Sequence, residues 1–457
     1  MLDICVREIV EATGGMLLAG AEETVICGVS TDSRKIGAGE LFIPIVGETF
    51  DGHDYIDAAL EQAAGCLCAR APESMREGRF YVQVEDTCRA LRDLAAHYRA
   101  RFDIPFVQIT GSVGKTTTKE MIAAVLGAKY NVLKTEANYN NEIGAPMMMF
   151  RLTPEHEAAV IETGMTGPGE IRYLGVMVRP KIAVISNVGD AHFEFFGSRE
   201  GIFRAKCEIF ENLDKDGFAV LNGDDALLKT VELSQTVTFC GEGENCAARV
   251  SDIAGGDIGG VSCTVQTARD VYKLQIPAPG RYMVYPAAQA VAVGELLGLT
   301  REEIERGVRA YEPAGERMKV ERLAGERVVL NDSYNANPQS MAAALGVLAE
   351  CGGRRIAVLG PLGELGAMNE EGHRSVGRLV GELGIDTFFA IGEDPVRYMA
   401  PEARAAGCRD VRCFDKKEDA YGELTSAFSE GSTVLLKASH YAGRFDLIAD
   451  YLRSYSF

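Results

Sequence analysis

"ITGSVGKTTTKEM", residues 109–121, follows the β-branched run "PFVQ" and leads into the apolar-striped segment "IAAVLGAKY". An apolar run, a glycine turn and a helical stripe predict a strand, a phosphate loop and a helix in succession. Gly111 and Gly114, with Ser112 and Val113 between them, let backbone N–H groups turn inward on phosphate oxygens, and the helix N-terminus adds partial positive charge. Lys115 then reaches the β and γ oxygens, Thr116 offers a hydroxyl to Mg2+, and Thr117 continues the turn. The glycine spacing is shorter than in the usual two-glycine phosphate loop, which points to a subset of ATP-binding families.

The same alternation recurs outward from this stretch. "AAVIETG" (158–164), "KIAVISNVG" (181–189) and "GFAVLN" (217–222) are short apolar runs separated by helical segments, the pattern of a parallel sheet covered on both faces. The polar alternation of "VSCTVQTARDVYKLQIPAPG" (261–280) suits an antiparallel hairpin instead. A further series, "ERVVLNDSY", "RRIAVLGPLGELG", "TFFAIG" and "STVLLKASH", ends in an amphipathic helix running to Phe457 and reads as a doubly wound unit. Before the phosphate loop, short strands such as "LFIPIV" and "RFYVQV" alternate with a helix striped by Leu91, Leu94, Ala95 and Tyr98. The expected fold is therefore α/β in three domains: residues 1–103, a small α/β unit; 104–312, a phosphate-loop unit with a parallel sheet and a small antiparallel part; and 313–457, a Rossmann-like doubly wound unit. Pro105 and the Pro and Gly of "EPAG" mark the two joints.

Bulk composition narrows the class. With 457 residues and 47% hydrophobic content, several cores are expected. A net charge of -19 without a basic run argues against nucleic acid and lipid surfaces, but leaves room for a small anion held locally. The 12 cysteines form no CxxC pair, and the nearest two, Cys66 and Cys68, are expected on opposite faces of a strand; reduced thiols in a cytoplasmic protein follow. The N-terminal segment has neither a basic region nor an apolar core of a signal, and no apolar stretch is long enough for membrane insertion.

Around the loop, Glu162 is expected at the carboxyl end of a neighbouring strand, where a magnesium ligand belongs in such sheets. Asn187 and His192 follow the next strand, and Lys206 and Glu208 fall on the helix after it. A lone histidine is more often structural, and a lone lysine more often solvated, yet their joint position at one sheet edge favours a shared role. Ser30, Thr31, Asp32, Ser33 and Arg34 form a short polar segment able to hold a pyrophosphate, or simply a capped turn.

Taken together, "STDSRKIGAGELFIPIVGETFDGHDYI", "TGSVGKTTTKE", "TEANYNNEIGAP", "IETGMTGPGEI", "SNVGDAHFEFFGS", "AKCEIF", "NDSYNANPQSM", "LGELG" with His373, and "LLKASH" resemble the Mur ligases, collinearly over nearly the whole chain. The segment Tyr334-Asn335-Ala336-Asn337-Pro338 is similar to the form in the member that adds D-alanyl-D-alanine. The resemblance implies an ATP-dependent amide ligase of cell-wall precursor synthesis, acting on a UDP-linked muramoyl tripeptide and D-alanyl-D-alanine as a monomer in the cytoplasm. It implies Lys115, Asn187, His192 and Lys206 in catalysis, and Thr116, Glu162, His192 and a carbamylated Lys206 around two Mg2+ ions. It further implies Ser30–Arg34 on the uridine diphosphate, and Thr135, Asn138, Asn140 and Asn141 on the muramoyl part and phosphates. Arg317 and Asp332 would meet the nucleotide, with Tyr334, Asn335 and Asn337 beside the incoming dipeptide.

Three departures bear on substrate choice. Tyr282, Met283 and Pro286 replace a His-Asn-x-x-Asn motif whose asparagines meet adenine in the family. Pro361 stands where an Asp is common, and Ala438 and His440 where Gly and Arg are common, so a carboxylate and a permanent cation are missing. Two other readings are a family ligase with a different amino-acid or carboxylate substrate, and an inactive nucleotide-binding paralogue serving as a scaffold.

Overall fold

The computed structural model describes residues 2–455. Its centre is a nine-stranded sheet. The phosphate-loop strand Phe106–Thr110 lies between Ala158–Glu162 and Ile182–Ile185, parallel to both. From this strand the chain goes first to the edge strand Val132–Lys134, returns to Ala158–Glu162 between the two, and then crosses to the other side, through Ile182–Ile185 to Phe218–Asn222. That reversal is a topological switch point, where the carboxyl ends of parallel strands open a crevice. Every residue of the three central strands is buried, which is why they read as unbroken apolar runs rather than alternating ones. Beyond Ala248–Gly255 the sheet turns antiparallel, and Val261–Gln266 and Val271–Ile276 form the expected hairpin with alternating burial.

The amino-terminal unit has a five-stranded sheet, in which Met16–Ala19 runs antiparallel to Phe80–Gln83 and the remaining pairs are parallel. Helix Thr87–Arg99 is capped by Asp86, whose carboxylate accepts from Arg89 N at 2.8 Å, and it buries Leu91, Leu94, Ala95 and Tyr98 as its stripe requires. Its apolar face belongs to a core that also takes in Phe106, Met148, Met149 and Leu174 of the central unit. Tyr98 Oη donates to Leu152 O at 2.9 Å and the Arg99 guanidinium lies 4.0 Å from the Phe106 ring centroid across the same junction.

Cys66 and Cys68 do not lie on opposite faces. They are two apart on strand Gly65–Cys68, so the period of two puts both on the face that packs with Phe42, Leu60 and Tyr81. All twelve cysteines are free thiols.

The carboxyl-terminal unit is a six-stranded sheet, parallel apart from its edge strand Lys319–Leu323. The final helix spans Leu447–Ser454 and stops there, short of the expected Phe457, because the backbone turns extended at Tyr455; residues 456–457 lie outside the described residues. Among the described residues, no helix is long and apolar enough to cross a membrane.

Candidate active site

A cavity of about 1380 Å3 opens at the switch point. Its walls include Ser112–Thr118, Glu162, Asn187 and His192 from the central unit, and Asp332, Tyr334–Asn337, Glu364 and Lys437 from the carboxyl-terminal unit. The volume exceeds the roughly 300 to 1,000 Å3 typical of a site for one small ligand, so two reactants fit side by side.

The phosphate loop is held by its neighbours. Gly114 has φ 78° at the N-cap of helix Lys115–Leu126, a conformation that favours glycine. A side chain at Gly111 would place Cβ 1.9 Å from Ser186 Oγ, so the loop can pass this close only without one. Asn187 braces the loop from beside it: Oδ1 accepts from Val113 N at 3.0 Å, Nδ2 donates to Val113 O at 2.8 Å, and its carbonyl accepts from Ser112 N at 3.1 Å. The Asn187 amide is thus committed to the shape of the loop rather than aimed at a reacting atom.

Lys115 Nζ donates to Gly111 O at 2.9 Å. Burial lowers its pKa, opposed by the carboxylate of Glu162 and reinforced by Arg317; Glu364 also acts to raise it. Those four charges therefore meet beside the loop, two from each side of the cavity.

Glu162 is almost wholly buried, and both carboxylate oxygens are taken. Thr116 Oγ1 donates to Oε2 and Asn140 Nδ2 to Oε1, each at 2.8 Å. A hydroxyl and a carboxylate in contact, with amide support, are hard oxygen donors of the kind Mg2+ takes alongside phosphate oxygens, so this pair fits the implied ion. His192 lines the cavity with φ 65° and its Nδ1 2.5 Å from Glu364 Oε2, off the line of a good hydrogen bond. With Nδ1 facing a carboxylate, Nε2 is the nitrogen left for a ligand.

Lys206 has a side chain that is 1% exposed and, among the described residues, makes no hydrogen bond or ion pair. Burial, with a smaller contribution from the Lys115 ammonium, pushes its pKa well below the ordinary lysine value. Glu208, expected to share its role, instead caps helix Glu170–Val178, accepting from Gly169 N at 2.8 Å and Arg172 N at 3.2 Å.

The other expected site residues divide. Asn138, Asn140 and Asn141 line the cavity. Thr135 lies beneath it, fully buried, with Oγ1 accepting from Glu162 N at 2.9 Å. Asn141 Oδ1 accepts from Gly144 N at 2.8 Å at the start of helix Gly144–Met149. Asn337 caps helix Pro338–Glu350 through Ser340 N at 2.8 Å, and Asp332 accepts from Lys437 Nζ at 2.5 Å and Met318 N at 3.0 Å. Arg317 stacks over the Tyr334 ring at 3.9 Å. Ser30–Arg34 lies outside the cavity, and there Asp32 pairs with Arg34 at 2.9 Å.

Tyr282, Met283 and Pro286 line the same cavity as the phosphate loop, joined by Tyr285 and Gln289. Gln289 Nε2 donates to Ile185 O at 3.0 Å, and Tyr285 Oη to Glu242 Oε1 at 3.2 Å. Glu364 and Lys437 were singled out by no role in the sequence, although both stand in the "LGELG" and "LLKASH" stretches; a carboxylate between glycines and a lysine at a strand end are the available signals.

The chain matches three family descriptions in order: Mur ligase family, catalytic domain, over residues 25–99; Mur ligase middle domain over 109–294; and Mur ligase, glutamate ligase domain, over 316–440. It is 35% identical over 459 residues to UDP-N-acetylmuramoyl-tripeptide--D-alanyl-D-alanine ligase of Bacillus subtilis, covering 99% of each chain. The Escherichia coli protein of the same name is 37% identical, covering 86% of this chain and 87% of the relative. Among solved structures, MurF from Acinetobacter baumannii superposes with a TM-score of 0.90 at 30% identity, covering 98% of this chain and 99% of that one. MurF ligase from Thermotoga maritima in complex with ADP gives 0.83 at 27% identity, covering 93% and 96%. With its three matched segments in order and a phosphate loop set at the switch point of the central sheet, the chain belongs to the Mur ligase family.

Proposed function

We propose that this protein is the ATP-dependent amide ligase that joins D-alanyl-D-alanine to a UDP-linked N-acetylmuramoyl tripeptide, releasing ADP and phosphate. The observation that carries the reading is the single cavity walled on one side by the phosphate loop and on the other by Asp332, Tyr334, Asn335 and Asn337. Donor and acceptor chemistry would share one enclosure. Relatives of that name align over nearly the full length, which supports the same substrates.

The reaction needs two displacements. A carboxylate oxygen of the tripeptide attacks the γ phosphorus of ATP and ADP leaves, giving an acyl phosphate. The dipeptide amine then attacks the carbonyl carbon, a proton leaves nitrogen, and the tetrahedral intermediate expels phosphate. All of the groups transferred are anionic, so fixed positive charge does most of the work. Lys115 and the loop amides would neutralise the migrating phosphoryl group, with Arg317 reaching it from the opposite wall.

Thr116 and Glu162 would hold one Mg2+ and His192 would support a second; bound there, the ions supply Lewis-acid neutralisation of phosphate charge. Burial lowers the pKa of Lys206 and so favours the neutral amine, the form that captures CO2, and a carbamate there would face the Lys115 ammonium with the opposite charge. Ser30–Arg34 would take the uridine diphosphate, and Asn138, Asn140 and Asn141 the muramoyl and phosphate parts. Residues 1–103, 104–312 and 313–457 would serve as UDP-substrate, ATP and dipeptide domains of a cytoplasmic monomer. The test is phosphate release from ATP with the UDP-linked tripeptide, with and without D-Ala-D-Ala. Release that depends on the dipeptide supports the reading; release with a single amino acid in its place reassigns the substrate, and none under any pairing overturns ligation.

A further inference from the structure

The phosphate-loop helix carries a second buried cation for which the proposed reaction has no use. Lys119 lies one turn beyond Thr116 on helix Lys115–Leu126, its side chain 1% exposed. Its Nζ donates to Thr135 O at 2.5 Å and lies 2.7 Å from Glu120 Oε1, while the other Glu120 oxygen pairs with Lys134. A buried ammonium is costly unless its partners are fixed, and these are.

What Thr135 does next gives the lysine a role. Thr135 N donates to Val160 O at 3.1 Å, and Thr135 Oγ1 accepts from Glu162 N at 2.9 Å, so this residue pins the end of strand Ala158–Glu162 at the site carboxylate. From Thr135 the chain runs on to Asn140, which donates to Glu162 Oε1 at 2.8 Å. Helix residues i and i+3 thus grip one carboxylate twice: Thr116 directly at Oε2, Lys119 through the loop that supplies its backbone and amide partners.

We propose that Lys119 is a positioning residue for Glu162, fixing through Thr135 the orientation in which that carboxylate accepts a divalent cation beside a bound nucleotide. The inference rests on the nucleotide reading given above. A lysine that only staples the helix to the strand would change stability without changing how strongly the cation and the nucleotide reinforce one another.

The test is ADP binding by calorimetry with and without Mg2+, in the full chain, for the parent, Lys119→Met, Thr135→Val and the double variant. Thr135→Val keeps the volume and loses the hydroxyl that accepts from Glu162 N. Removing a partner of a metal ligand commonly weakens metal affinity by roughly 10- to 100-fold. Each single variant should therefore lose about tenfold of the tightening that Mg2+ gives, with ADP affinity in its absence changed by less than about twofold. The double variant should lose little more than either single one, because both act through the same link. An unchanged Mg2+ effect in Thr135→Val overturns the proposal, and decides alone should Lys119→Met fail to fold. Equal weakening with and without Mg2+, or fully additive losses, overturns it too. A parent protein that binds no ADP would instead sink the nucleotide reading itself.

Discussion

Thr116 and Glu162, 46 residues apart in sequence, meet at 2.8 Å between a helix N-terminus and a strand C-terminus, with the carboxylate buried. The contact joins the phosphate loop to the neighbouring strand and sets a hydroxyl and a carboxylate side by side. Replacing Glu162 with Gln keeps the size of the side chain, removes the charge, and turns one of the two accepting oxygens into an N–H donor facing Thr116 or Asn140. Turnover should fall by roughly 100-fold or more, on the scale of losing one preorganised electrostatic group, and half-saturation by Mg2+ should rise. Phosphate release measured across a Mg2+ series checks both, and turnover within twofold of the parent would remove Glu162 from the metal set.

Lys206 gives a chemical test. Its buried amine has no partner among the described residues, and its pKa is pushed well down, mainly by burial. Lys206→Ala should abolish turnover, and short carboxylates such as formate or acetate should restore part of it by occupying the vacated space with negative charge. Full activity of the alanine variant would rule out a carbamate at this position.

The stack of Arg317 on Tyr334 predicts a graded effect on nucleotide use. Cation–π contacts are worth about 0.5 to 2 kcal/mol, so Tyr334→Leu should raise the KM for ATP by roughly 2- to 30-fold while Tyr334→Phe, which keeps the ring face, stays near the parent. Equal behaviour of the two variants in steady-state assays would show that the ring does not hold the guanidinium.

His373 predicts a pH dependence of stability. It is buried on helix Asn369–Glu382, where Nε2 accepts from Leu362 N at 3.1 Å and Nδ1 donates to Asn369 O at 2.7 Å, so the neutral ring is the form that fits. Burial lowers its pKa from the ordinary 6.5. The unfolded chain then binds the extra proton first as pH falls, so the stabilisation is complete above 6.5 and is lost as pH drops through the lowered folded value. Urea midpoints between pH 8 and pH 5 should fall more steeply for the parent than for His373→Gln; parallel curves would contradict the assignment.

Local chemistry was the most legible part of the sequence. The loop Gly111–Thr117 and the strand-end position of Glu162 depend on residues close in sequence or on a strand pattern that repeats, and the structure has both. Contacts set by how units face each other left no such mark: His192 and Glu364 are far apart in the chain, and nothing near either one names its partner. Lys119 read as one more polar residue of a helix, since periodicity does not reveal that its charge is buried. Strand Asp410–Phe414 was missed for a related reason. It is an edge strand whose Asp410 and Arg412 pair at 2.9 Å, and such charged edges carry little of the apolar signal of a central strand. The cysteine pair shows a different failure, a miscounted strand period rather than a hidden contact.

The core that runs from helix Thr87–Arg99 to Phe106, Met148, Met149 and Leu174 also bears on how the chain can be cut. A fragment beginning at residue 104 would keep the phosphate loop intact, yet it would turn those four side chains and the Tyr98 contact at Leu152 toward water. The phosphate-loop half is therefore a poor candidate for expression by itself, and a nucleotide-binding fragment has to keep helix Thr87–Arg99 with its Asp86 cap.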